Sequence, residues 1–77
     1  MIRVLYFAGL RDVTGKPEEL IDRQEWTVQE FMDWVQAAYP DFKAKTVFVA
    51  VNEEYARQDD VIRTGDTVAV IPPVSGG

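Results

Sequence analysis

The 77-residue chain contains no cysteine and no histidine. Without cysteine there is no disulfide staple and no sign of an oxidising compartment, so the cytoplasm is the expected location. The two absences together remove the strongest metal ligands, the thiol nucleophile and the commonest general base. Basic residues are also scarce, eight Lys and Arg against thirteen Asp and Glu, for a net charge of −5. Those eight cations are scattered, so the footprint that nucleic acid requires is missing. No apolar run approaches the roughly 20 residues that cross a bilayer, and nothing resembles a signal peptide, so no membrane partner is expected. The acidic pairs Glu53-Glu54 and Asp59-Asp60 are sequence neighbours. Neighbours in an extended chain point to opposite faces, so each pair reads as solvated loop charge and no metal site is expected. A chain with this inventory is badly equipped to perform chemistry alone, and no bound cofactor is expected.

What is present suits one small soluble domain: 47% apolar residues and 27% charged. At this length there is room for a single core, burying about 60–65% of the unfolded surface. Ile2 to Ala8 is a short apolar run fit for a central strand, with Ile2, Val4 and Tyr6 on one face and Arg3, Leu5 and Phe7 on the other. Apolar groups fall on both faces, so one should meet the core and the other be at least partly covered or turned to a partner. Gly9 and Gly15 bracket a connection, Thr14-Gly15-Lys16-Pro17 reads as a turn, and Glu18 to Gln24 as a weaker strand antiparallel to the first.

The helix is the best-marked element. Thr27-Val28-Gln29-Glu30 is a capping box, and Trp26 with Phe31 fits a hydrophobic staple across it. Val28, Phe31, Met32, Val35, Ala38 and Tyr39 recur at helical spacing, and Trp34 broadens the stripe as core or rim. Pro40 disfavours helical geometry at Tyr39, so the helix should stop there. Val47 to Val51 is a second candidate central strand, followed by a short piece around Tyr55-Ala56. A turn at Thr64-Gly65-Asp66 leads to a last strand, Thr67 to Ile71. The order β-β-α-β-(β)-β with one amphipathic helix predicts an α+β, β-grasp (ubiquitin-like) domain over residues 1–71. A mixed sheet of four to five strands would pack on one main helix, with the last strand beside the first.

Residues 72–77 then form a separate, flexible tail: Pro72-Pro73-Val74-Ser75-Gly76-Gly77. Two glycines in the last two places arise by chance in roughly 0.5% of sequences at a glycine frequency near 7%. A Gly-Gly end is the slimmest a chain can have, able to thread a narrow channel and present its carboxylate to another protein's active site. The stiff Pro72-Pro73 would point it away from the sheet. An α-carboxylate with a pKa of about 3.5 is ionised and a poor electrophile at neutral pH, so any chemistry needs prior activation, adenylation being the obvious route.

This order, ending in Gly-Gly, resembles the ubiquitin-like sulfur-carrier proteins, and among them the small subunits of molybdopterin synthase. The likeness runs along essentially the whole chain. Ile2 to Ala8 with Leu10-Arg11 is similar to the family's opening strand and turn, and Val49-Ala50-Val51-Asn52 to its middle strand. The specific segment is Asp66 to Gly77, an Asp–strand–Pro-Pro-Val-x-Gly-Gly ending. Where the family often carries an aromatic residue before the prolines, this chain has Ile71, which keeps an apolar anchor.

The resemblance implies a division of labour. Gly77 would be adenylated by an ATP-dependent activating enzyme, and a sulfur donor would then convert the adenylate to a thiocarboxylate. The tail would enter the active site of the synthase's large subunit, in a heterotetramer of two small and two large subunits. There the sulfur would pass to cyclic pyranopterin monophosphate, and the small subunit would have no active site of its own. The absence of cysteine suits a carrier whose acyl group must not be captured internally. Phe7, Ile71, Pro72, Pro73 and Val74 are the candidates for an apolar docking patch beside the tail, and Arg11 for a polar contact there. Two other readings remain open: a sulfur carrier for thiamin thiazole synthesis or tRNA thiolation, and a plain β-grasp interaction module whose end does no chemistry.

Overall fold

The computed structural model describes residues 1–73. Ile2–Tyr6 forms β1, Leu10–Thr14 a short helix α1, Glu18–Ile21 β2 and Glu25–Thr27 β3. The main helix α2 is Val28–Ala38, and a single 3-10 stretch follows at Pro40–Ala44. Phe48–Val51 is β4, Glu54–Tyr55 β5, Val61–Arg63 β6 and Thr67–Ile71 β7. The main sheet has five strands in the order β2-β1-β7-β4-β5, and β3 pairs with β6 in a separate two-stranded sheet. β1 and β7 run parallel at the centre, with Val4 opposite Val68 and Tyr6 opposite Val70. Their other neighbours, β2 and β4, are antiparallel. This is the expected β-grasp.

Helix α2 forms where the local chemistry says it should. Thr27 Oγ1 accepts from the Glu30 N–H at 3.1 Å, and the Glu30 carboxylate accepts from the Thr27 N–H at 2.8 Å. The Thr27 N–H first, and then the Thr27 hydroxyl, hold the Glu30 carboxyl below the ordinary carboxylate range. The Trp26 and Phe31 rings meet edge to face, 5.6 Å between centroids. At the other end Tyr39 is the C-cap, its N–H bonded to the Val35 carbonyl, and Pro40 follows. Val28, Phe31 and Val35 are buried against the inner face of the sheet, where Ile2, Val4, Tyr6, Val68 and Val70 are almost completely covered. Each such side chain contributes about 1.5–3 kcal/mol through burial.

Four features depart from the reading of the sequence. The Gly9–Gly15 connection holds helix α1, whose amphipathic signal is one buried apolar residue, Leu10, with Val13 packed beside it. Five residues are too few for periodicity to show; the readable trace is Gly15, which ends the helix at φ 77°. The strand placed at Glu18 to Gln24 ends at Ile21, and the chain pairs again only at β3. There Trp26 sits opposite Ile62, both buried, so the residue that staples the helix is also a strand residue. Ala38, counted in the helical stripe, is exposed, while Phe42, in no periodic run, is fully buried.

Candidate functional site

The two faces of the central strands differ in what covers them. Helix α2 takes the face of Val4, Tyr6, Val68 and Val70. The opposite face carries Arg3 and Leu5 from β1 with Phe7 just past its end, Thr67, Ala69 and Ile71 from β7, and Phe48 and Ala50 from β4, with no element of the described residues laid over it. Along its middle runs a shallow groove. Ala50 and Ala69 lie opposite each other in register and form its floor. Leu5 and Phe7 wall it on one side and Tyr55 on the other, with Ile71 at one end and Thr67, Asn52 and Glu53 at the other. Two small residues side by side, flanked by large ones, are what makes a flat sheet concave here. Phe7 is 39% exposed, Phe48 47% and Tyr55 73%. The Phe48 and Tyr55 rings stand edge to face at 6.0 Å, fixing each other on the surface.

The end of the groove at Thr67 is rigidly built. Asn52 and Glu53 form the two-residue turn between β4 and β5 with φ of 51° and 73°. Positive φ at both central positions is what a type I′ hairpin turn requires. The Asn52 side chain donates to Asp66 Oδ1 at 3.0 Å and accepts from the Thr67 N–H at 3.0 Å. Asp66 Oδ2 accepts from the Arg63 N–H at 2.8 Å. The Arg63 N–H, and secondarily the Asn52 amide, hold the Asp66 carboxyl below its ordinary range.

On the inner face, Glu19 Oε1 accepts from both Tyr6 and Tyr39 hydroxyls at 2.9 Å, tying edge strand β2 to the helix end. Burial first, then the Glu19 carboxylate, pushes both phenols above their ordinary pKa, Tyr6 strongly. This cluster lies across the sheet from the groove and serves packing. Among the described residues no group of three or more acidic, His or Cys side chains could hold a metal ion, and no helix is long and apolar enough to cross a membrane.

The residues singled out from sequence fall as follows. Phe7 and Ile71 are brought together on the open face and both line the groove. Pro72 is half-buried and Pro73 exposed, leaving the sheet from the Ile71 end. Arg11 is exposed on α1 and is not a groove residue; its Nε donates to the Tyr6 carbonyl at 3.2 Å, which holds it at that same end. Val74, Ser75, Gly76 and Gly77 lie outside the described residues. Sequence reasoning missed Ala50, Ala69, Tyr55 and Glu53 as site residues. Alternation in β1 and β7 marked the face, but the pairing that sets Ala50 beside Ala69 spans 19 positions and leaves no local trace.

With the geometry in hand, comparison with known proteins is decisive. A profile of the ThiS family matches residues 4–77. The chain belongs to the ThiS family. A molybdopterin synthase sulfur carrier subunit from Chlamydomonas reinhardtii is 40% identical, covering 99% of this chain and 98% of the relative. A solved structure from Pyrococcus furiosus, assigned as molybdopterin converting factor subunit 1, superposes with a TM-score of 0.87 at 31% identity, over 95% of this chain and 97% of that one. A complex of subunits 1 and 2 of the molybdopterin-converting factor from Helicobacter pylori contains a chain of the same fold, TM-score 0.69 at 18% identity, covering 99% and 97% of the two chains. The ubiquitin-like sulfur-carrier family recognised in the sequence is therefore the right one.

Proposed function

We propose that this protein is the sulfur carrier of a cytoplasmic molybdopterin synthase, with the Gly77 carboxylate as its reactive group. The observation that carries the reading is full-length similarity to molybdopterin synthase sulfur carrier subunits, running through the strand that leads into the Gly-Gly end. An ATP-dependent activating enzyme adenylates Gly77, with pyrophosphate leaving. A sulfur donor then displaces AMP and leaves a thiocarboxylate. The charged tail, Pro72 to Gly77, enters the large subunit's active site, where sulfur passes to cyclic pyranopterin monophosphate. The carrier has no active site and no resident cofactor, only this covalent modification. Two carriers and two large subunits make the assembly, one sulfur from each carrier serving the dithiolene.

The fold supports this role through β7. The strand is held on both sides, by β1 and β4, and so gives the tail a rigid base at Ile71. Phe7 and Ile71 offer the partner an apolar foothold next to that base, with Arg11 at the same end for a polar contact. Incubation with ATP, an activating enzyme and a sulfur source should add to the intact mass the difference between one sulfur and one oxygen, located at Gly77. No gain with a competent activating enzyme would sink the reading. Deleting Gly77, or adding a residue after it, should abolish sulfur transfer and leave folding intact. Copurification with a thiazole synthase in place of a pterin-binding large subunit would move the chain to the thiamin branch.

A further inference from the structure

Indole and phenol rings follow helix α2 from one end to the other. Trp26 and Trp34 lie 5.9 Å apart between centroids, Trp34 and Tyr39 6.4 Å, and Tyr39 and Tyr6 6.1 Å. Phe31 and Phe42 flank the line and are too hard to oxidise to compete with it. Such spacing is ordinary for packed aromatics. What sets this line apart is the contrast between its ends. Trp26 is 2% exposed, and its Nε1–H has no hydrogen-bond partner among the described residues. A buried N–H without an acceptor costs about 1–3 kcal/mol and asks for an explanation. The Arg23 guanidinium stands over the same ring, 4.5 Å from its centroid. That cation opposes positive charge on the indole, and without an acceptor an oxidised indole cannot shed its proton. An electron hole is therefore unwelcome at Trp26. The tyrosine end is the opposite. Both hydroxyls donate to Glu19 Oε1 at 2.9 Å, so a negative group waits where an oxidised phenol would release its proton. Lys16 Nζ faces the other oxygen, Oε2, at 3.7 Å, which leaves Oε1 to the phenols.

We propose that this line of rings carries an electron hole from Trp34 to the Tyr39–Tyr6 pair, which makes the core an acceptor for small one-electron oxidants of the radical class. Trp34 is half-buried and is the point of entry, while Trp26 is the disfavoured branch. The oxidant takes one electron from Trp34 and departs as its anion. An electron then passes from Tyr39 or Tyr6 to the Trp34 radical cation and restores the indole, while the phenol proton moves to Glu19. The products are a neutral tyrosyl radical and a protonated carboxyl group, so electrons, protons and charge balance. At neutral pH a tyrosine that can hand its proton to a base is easier to oxidise than a tryptophan, so the step runs downhill. The chain has no cysteine, so no thiol of its own competes for the hole. None of these groups takes part in the sulfur chemistry proposed above, and the two readings stand or fall separately.

Pulse radiolysis of the full chain, with the azide radical as the probe oxidant, tests this. That radical oxidises tryptophan in preference to tyrosine at neutral pH, and the two amino-acid radicals absorb at separate wavelengths. Tyr55, 73% exposed on the open face, is replaced by phenylalanine in every sample, so that tyrosyl signal reports Tyr6 and Tyr39. The tryptophanyl signal should decay as the tyrosyl signal grows, with a first-order rate that does not change with protein concentration. Glu19→Gln keeps an oxygen for both hydroxyls but removes the base. It should slow tyrosyl growth about a hundredfold, the low end of what a positioned base supplies. Trp34→Phe should abolish that growth, because it removes both the entry ring and the link to Trp26. Circular dichroism shows which variants are folded, and Trp34→Phe, at a half-buried position, keeps the test decisive should Glu19→Gln fail to fold. Tryptophanyl decay without tyrosyl growth overturns the proposal, as does a rate that rises with protein concentration. So does an unchanged rate in folded Glu19→Gln or folded Trp34→Phe.

Discussion

The inner and outer faces of the central sheet are built from alternate residues of the same strands, and they obey different rules. On β7, Val68 and Val70 are completely buried under the helix, whereas Thr67, Ala69 and Ile71 are half-covered. On β1, Ile2, Val4 and Tyr6 are core, while Arg3 is exposed and Leu5 half-buried, and Phe7 just past the strand is exposed. The inner face is filled to close packing, large against large. The outer face is apolar but sculpted, with two alanines sunk among aromatics. A monomer's stability needs only the first. An exposed apolar face of this kind, next to the strand that leads to the tail, is the surface that the proposed function gives to a partner.

Adjacent residues give the sharpest way to break that contrast. Val70→Asp buries an unpaired carboxylate and should cost more than about 4 kcal/mol. For a domain this small, near the low end of the about 5–15 kcal/mol range, that is most of the available stability, so circular dichroism should show an unfolded chain. One position earlier, Ala69→Asp should change stability by no more than about 1 kcal/mol in urea denaturation. Were both variants equally folded, the two faces would not differ as described.

Smaller effects test what holds the inner face in place. Tyr6→Phe removes one hydroxyl from the Glu19 carboxylate and should cost about 1.5 kcal/mol by the same measurement. Because the folded chain keeps Tyr6 and Tyr39 protonated above their ordinary range, the unfolded chain releases its protons first as pH rises. Their contribution to stability is complete below about pH 10 and lost progressively above it, and Tyr6→Phe should flatten that alkaline fall in melting temperature. Thr27→Ala deletes the helix cap and should cost about 1 kcal/mol without altering partner binding, since Thr27 is not a groove residue.

The smallest effect lies at acid pH. Glu30 and Asp66 are depressed in the folded chain, so the unfolded state takes up protons first as pH falls. Stability from both is present above their ordinary pKa values and lost through the folded ones, a decline beginning below about pH 4.5. Asp66→Asn should shallow that limb in acid titrations followed by fluorescence, while the alkaline limb stays as in the wild type.

Much of this protein was legible in its sequence because its signals are local. The capping box at Thr27 to Glu30, the stop at Tyr39-Pro40, the turn at Gly65 and the strand from Thr67 to Ile71 each depend on residues within a few positions of one another. So does the Pro-Pro-Val-x-Gly-Gly ending, on which the family resemblance chiefly turned. Helix α1 and strands β3 and β6 were not legible, because five and three residues carry too little periodicity and owe their form to packing. Ile62 shows why: it is fully buried in the core, and its partner across the strand pair, Trp26, lies 36 positions away in the chain.

The candidate site divides in the same way. Phe7 and Ile71 could be named in advance, since each lies in a strand whose two faces are both apolar. The groove between them could not, for its floor exists only when β4 and β7 pair in one register and set Ala50 against Ala69. The sequence by itself determined the fold class, the helix and the Gly-Gly ending on which the proposed function rests, because propensity, capping and turn chemistry act through neighbours in the chain. The tertiary structure decided which face of the sheet stays open, where it is concave and which end is acidic. Those properties belong to pairs of residues brought together by strand pairing and by the one helix that can cover only one side.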